Sequence, residues 1–120
     1  MLTDAFLTLC FALLLGSVLA VLYLSSGRVP ALAAALHGLI GLAGFFWLLL
    51  ALRGPPHGLA TGTSSFGAVA ASLLALAALA GGGILAAHRL KPRIAGTLIG
   101  VHATLAVSGV VILAAYLLAG

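Results

Sequence analysis

Ala35-Leu-His-Gly-Leu-Ile-Gly-Leu-Ala-Gly44 is the stretch on which the fold depends, and Gly100-Val-His-Ala-Thr-Leu-Ala-Val-Ser-Gly109 is its counterpart. Aligned on their histidines, both read small, apolar, His, small, variable, apolar, small, apolar, small, Gly. A basic residue also lies nine positions before each histidine, Arg28 before His37 and Arg93 before His102. A histidine inside an apolar membrane helix is costly and is by default a functional candidate. Two in equivalent settings predict one site that both residues share.

Composition indicates a membrane protein. Of the 120 residues, 64% are hydrophobic and 5% are charged, and the mean hydropathy is +1.38. Soluble domains carry about 25% charged residues. This chain has too few polar groups to cover its own surface, so a lipid bilayer is the expected surrounding. The length suits a single domain, residues 1–120, with four membrane spans and no additional extramembrane domain.

Four apolar segments are each long enough to cross a bilayer, which takes about 20 helical residues. We expect helices at 5–24, 31–52, 66–88 and 94–118, the third interrupted by Gly81-Gly-Gly83. Short loops at 25–30 and 89–93 would form two hairpins, and a longer loop containing Pro55-Pro56 would separate them. The predicted fold class is an all-α integral membrane protein. It is a four-transmembrane-helix bundle built from two helical hairpins related as parallel repeats.

The net charge of +4 does not indicate nucleic-acid binding, because the basic residues lie in or beside short loops, where they act as topology signals. Four of the five fall on one side of the predicted membrane: Arg28, Arg89, Lys91 and Arg93 against Arg53. This imbalance predicts that loops 25–30 and 89–93 are cytoplasmic and that both termini lie outside the inner membrane.

Acidic residues are almost absent, since Asp4 is the only one. The chain therefore has no carboxylate pair for acid–base catalysis and no intramembrane acid for proton or cation coupling. Four-span multidrug exporters are similar in size, but they depend on a glutamate in the first helix. Cys10 is the only cysteine, so no internal disulfide can form.

The depths of the two histidines match. Counted from Pro30 and Ile94, His37 and His102 lie about 10 and 12 Å along helices that run in the same direction. Cofactor sites in four-helix bundles are built from core side chains on facing helices. Arginines at the cytoplasmic edge would pair with haem propionates. We therefore predict one haem b with His37 and His102 as axial ligands; its other contacts would be small residues and the two arginines, namely Gly41, Gly44, Ala106, Gly109, Arg28 and Arg93.

Other interpretations remain open for the histidines. His37 and His102 could each donate an interhelical hydrogen bond to a backbone carbonyl or to a residue such as Thr104 or Ser108, and small residues also serve helix packing alone. His88 could bond a propionate, carry protons near a quinone, or be an ordinary interfacial residue. It could also join a strained three-histidine metal site. His57, in the long loop, is expected to be exposed.

His37 and His102, with their small neighbours, resemble the cytochrome b561 class and related membrane cytochromes b with one or two haems. The resemblance is confined to the two ten-residue windows and is architectural. It implies a bis-histidine haem b and electron exchange with quinone, ascorbate or a partner redox protein. That class has more spans and often a second histidine pair. This chain would then carry electrons only part of the way across the membrane, or it would dock to another haem in a larger complex.

These features predict an electron carrier or a subunit of an oxidoreductase complex rather than an independent enzyme. Its partners would be other membrane redox subunits or quinone, and a homo-oligomer is compatible with the sequence. A second hypothesis is a small scaffold or assembly subunit without haem. A third is a transporter or channel for a neutral or anionic solute, which the scarcity of polar residues disfavours.

Overall fold

Four apolar segments form the four helices of the computed structural model: α1 (Leu2–Ser26), α2 (Ala31–Ala51), α3 (Phe66–Leu90) and α4 (Pro92–Leu118). The structure describes the backbone of residues 1–90 and 92–120 and the side chains of residues 1–88, 90 and 95–120. Each helix is long and apolar enough to span a membrane. The predicted all-helical class and the four predicted helices are confirmed.

The turn between α1 and α2 is shorter than the predicted loop 25–30, because α1 continues to Ser26. Gly27 ends α1 in a left-handed conformation, with φ 67°, and its N–H donates to the carbonyl of Tyr23 at 2.8 Å. Glycine adopts this conformation without the steric cost of a Cβ. Pro30 then precedes the first residue of α2.

The third helix departs from two predictions. It runs without a break through Gly81-Gly-Gly83, so the predicted interruption is wrong. In lipid no water replaces a broken helical hydrogen bond, and glycine alone does not end the helix there. Predicted loop 89–93 is also too long: α3 reaches Leu90, α4 begins at Pro92, and Lys91 lies outside the described residues. Proline suits the first turn of a helix.

The helices contact one another in a closed ring, α1 with α2, α2 with α3, α3 with α4, and α4 with α1. Contacts are much denser within the hairpins α1–α2 and α3–α4 than between them. The bundle measures 47 × 21 × 21 Å, long enough for a hydrocarbon core of about 30 Å plus both interfaces. Large apolar side chains are exposed on every helix, for example Leu14, Leu32, Leu79 and Val111, as expected in lipid.

Several identical core residues lie in pairs that are 65 positions apart. Among the residues whose side chains are described, five pairs of identical residues at this spacing are buried in both members: Ala5 and Ala70, Leu9 and Leu74, Ala12 and Ala77, Gly44 and Gly109, Leu48 and Leu113.

Glycines at the same spacing make matching contacts. A Cβ on Gly44 would lie 2.9 Å from Cγ of Leu9, and one on Gly109 would lie 2.8 Å from Cγ of Leu74. Each glycine therefore lets the two helices of its hairpin approach closely, which is how helices pack in lipid.

Candidate functional site

The imidazole rings of His37 and His102 meet inside the bundle. Their centroids lie 5.9 Å apart and their planes are inclined by 84°. His37 comes from α2 and His102 from α4, the helices on one diagonal of the bundle, so each hairpin contributes one ring. The convergence expected from their matched depths is present, and both residues are half-buried.

Each ring is held by the preceding helix of its own hairpin. Nδ1 of His37 lies 3.0 Å from the carbonyl oxygen of Ala12, and Nδ1 of His102 lies 2.7 Å from that of Ala77. A carbonyl only accepts, so Nδ1 carries the proton and donates. In the neutral imidazole Nε2 then has the free lone pair. Histidines that ligate metals are oriented by a bond of this kind from the other ring nitrogen.

Two glycines make these hydrogen bonds possible. Gly16 and Gly81 lie one turn after Ala12 and Ala77, in the path of the rings. A Cβ on Gly16 would lie 2.8 Å from Cε1 of His37, and one on Gly81 would lie 3.3 Å from Cε1 of His102. Without a Cβ, the backbone is bare and the ring reaches the carbonyl behind it. Sequence reasoning missed this role, although Gly16 and Gly81 are 65 positions apart, as are His37 and His102.

The small residues predicted beside the histidines face the neighbouring helix. A Cβ on Gly41 would lie 4.0 Å from Cβ of Ala12, and Gly44 and Gly109 accommodate leucines of α1 and α3. Ala106 is half-buried on α4. Contact of any of these residues with a cofactor stays a prediction.

Arg28 and His88, two of the other residues predicted at the site, lie nearer the end of the bundle where α1 meets α2. Arg28 is exposed just beyond α1, and Arg93 has a side chain outside the described residues. His88 is exposed, and its ring centroid lies 6.0 Å from that of Tyr23, at an interplanar angle of 57°. Within the described ranges, no three His, Cys, Asp or Glu residues gather as a metal site.

At the opposite end of the bundle, the expectation of an exposed His57 is wrong. The loop folds back so that the His57 ring centroid lies 5.2 Å from that of the buried Tyr116. The His57 backbone N–H donates to the Tyr116 hydroxyl at 3.1 Å. A tyrosine near a helix end offers both an apolar face and a polar tip, which explains the contact. Nδ1 of His57 is enclosed and lacks a hydrogen-bond partner among the described atoms.

An outer groove of about 430 Å³ runs along α4 and is lined by Thr97, Gly100, Val101, Thr104 and Leu105. Neither histidine of the central pair lines it. The Thr104 hydroxyl donates to the carbonyl of Gly100 at 2.9 Å, within the same helix. The groove is therefore separate from the histidine pair.

Comparison with known proteins finds no matching family model, no matching curated protein and no matching solved structure.

Proposed function

We propose that the protein is an integral membrane cytochrome b that carries electrons through one haem b held by His37 and His102. The spacing of the two rings carries this proposal. Two imidazoles that bind one metal from opposite sides, with metal–nitrogen bonds of about 2 Å, have ring centroids about 6 Å apart. The observed separation is 5.9 Å.

The donor set fits the same function. Both Nδ1 atoms donate to carbonyls, so both Nε2 atoms have lone pairs available for iron. His37 and His102 would both hold the iron of a haem, and the bound group would supply one-electron redox chemistry. Electron transfer therefore suits this site better than chemistry on a bound substrate.

The repeat of two hairpins supports a shared central site. We infer that α1–α2 and α3–α4 are parallel repeats about an axis along the bundle. The support is that the His–Ala, His–Gly and Gly–Leu contacts all recur 65 residues later. Because contacts between the hairpins are sparse, a flat cofactor enters between them at the lowest cost in packing.

Orientation and partners follow from charge and depth. The excess of basic residues supports a cytoplasmic position for the turn containing Arg28, with both termini outside the inner membrane. A single haem nearer the cytoplasmic side does not by itself carry electrons across the bilayer. We therefore propose quinone or another membrane redox subunit as the partner.

The test is an absorption spectrum of the detergent-solubilised protein with haem b. We expect a reduced spectrum typical of bis-histidine haem b in the natural sequence. The His37→Ala and His102→Ala variants should each lose haem during purification, and His57→Ala, which changes a histidine at the far end, should retain it. Full haem retention after both central changes would end the proposal.

A second candidate function is a scaffold subunit without haem, which the Nδ1 hydrogen bonds favour. Interhelical hydrogen bonds in membranes contribute about 0.6 to 2 kcal/mol each, so two histidines tied to Ala12 and Ala77 would stabilise an inert bundle. A preparation that is colourless as purified, and in which added haem keeps the spectrum of free haem, would select this candidate.

A further inference from the structure

A second pair of equivalent residues meets across the bundle. Tyr23 of α1 and His88 of α3 are 65 positions apart, the same spacing as His37 and His102. Their ring centroids lie 6.0 Å apart. Since each pair joins matching positions of the two hairpins, both pairs lie at the axis between the hairpins.

The second pair lies on the same helix faces as the first site. Tyr23 follows Gly16 by seven residues, and His88 follows Gly81 by seven, so each ring is two turns along the face that contacts a central histidine. At 1.5 Å per residue this is about 10 Å towards the end of the bundle that contains the α1–α2 turn with Arg28. That distance is comparable with the reach of a haem from its iron to its propionate carboxylates.

The chemistry of this pair suits an acidic ligand. The Tyr23 hydroxyl and the His88 ring both offer hydrogen-bond donors, and neither makes a hydrogen bond within the part of the chain whose side chains are described. Exposed Arg28 lies at the same end. The chain's only acid, Asp4, is at the opposite end of α1, 2.8 Å from the N-terminal amine. No carboxylate of the chain itself therefore serves these donors.

We propose that Tyr23 and His88 donate hydrogen bonds to the carboxylates of the haem held by His37 and His102. This inference rests on the proposed cytochrome function. It assigns Tyr23, which no sequence pattern marks, as a positioning residue of the site. It also gives His88 a definite role near the propionate edge, separate from the iron.

The experiment compares haem b with its dimethyl ester, in which both carboxylates are blocked. Charge-assisted hydrogen bonds contribute enough that the natural sequence should bind haem about tenfold more tightly than the ester. In the Tyr23→Phe, His88→Leu double variant this preference should largely disappear, while the ester should bind as before. His88→Gln, which keeps a donor, should retain part of it. Affinities come from titration of the Soret absorbance.

Tyr116→Phe is the matched control, since it removes a tyrosine hydroxyl at the far end and should leave the preference unchanged. Unaltered ester binding shows that a variant is folded. If the double variant does not fold, the Tyr23→Phe variant, which keeps the aromatic ring, must still lower the preference for haem over its ester. A natural protein without preference, or a double variant with full preference, overturns the inference. Failure of the central histidines to control haem binding overturns the cytochrome proposal instead.

Discussion

At the scale of single residues, the ring of His37 can occupy its position because Gly16 has no Cβ. We expect Gly16→Ala to displace the imidazole and break its bond to Ala12, because the new Cβ would lie 2.8 Å from Cε1. The lost interhelical bond should lower the free energy of unfolding by about 0.6 to 2 kcal/mol relative to the control. Reversible unfolding in mixed detergent micelles measures this difference.

Gly38→Ala is the matched control for that variant, because no atom lies within 4 Å of its added Cβ. Both substitutions gain the higher helix propensity of alanine, so their difference isolates the ring displacement. Equal stability of the two variants would show that the histidine tolerates the extra methyl group. A milder effect is expected for Gly81→Ala, whose Cβ would lie 3.3 Å from His102.

At the scale of helices, each hairpin depends on one leucine packed against one glycine. We expect Gly44→Ala to lower the free energy of unfolding by about 1 to 3 kcal/mol, the usual cost of overpacking a tight contact. The added Cβ would meet Cγ of Leu9 at 2.9 Å and its backbone nitrogen at 3.2 Å, so rotation of the leucine relieves only part of the clash. Unfolding in mixed micelles again provides the measurement.

Gly109→Ala should behave similarly, because Leu74 occupies the matching position. Gly100→Ala, whose Cβ meets no atom within 4 Å, should cause no loss. A second change, Leu9→Ala, combined with Gly44→Ala tests the contact directly, since neighbouring substitutions should be non-additive. Additive effects would mean that the two residues act independently.

The helices were largely predictable from sequence, and their junctions were not. Apolar length alone identified all four helices, because apolar segments that cross lipid require continuous helical hydrogen bonding. The same requirement keeps α3 helical through Gly81-Gly-Gly83, where three residues without side chains suggested a break in the helix. Arg89 was assigned to a loop for its charge, yet α3 continues to Leu90. The charge of a residue therefore does not by itself mark the end of a helix.

At the scale of the whole molecule, the convergence of His37 and His102 was predictable because each ten-residue window sets a depth along its helix. The contacts of Tyr23 with His88 and of His57 with Tyr116 were not, because they depend on how distant segments pack. Tyr23 and His88 share the 65-residue spacing but are different residue types, and His57 and Tyr116 lie outside that spacing. The haem itself stays a prediction, and its strongest support is the separation of the two rings.

The uneven packing between helices also determines how the molecule responds to mechanical force. Contacts within α1–α2 and α3–α4 are denser than those between the hairpins, so each hairpin should leave the bilayer as one cooperative unit. Pulling on the C-terminus in a single-molecule experiment should therefore extract α3 and α4 in one step and α1 and α2 in another; four equal steps would contradict this. Tension along the chain would then separate the two imidazoles before it unfolds either hairpin.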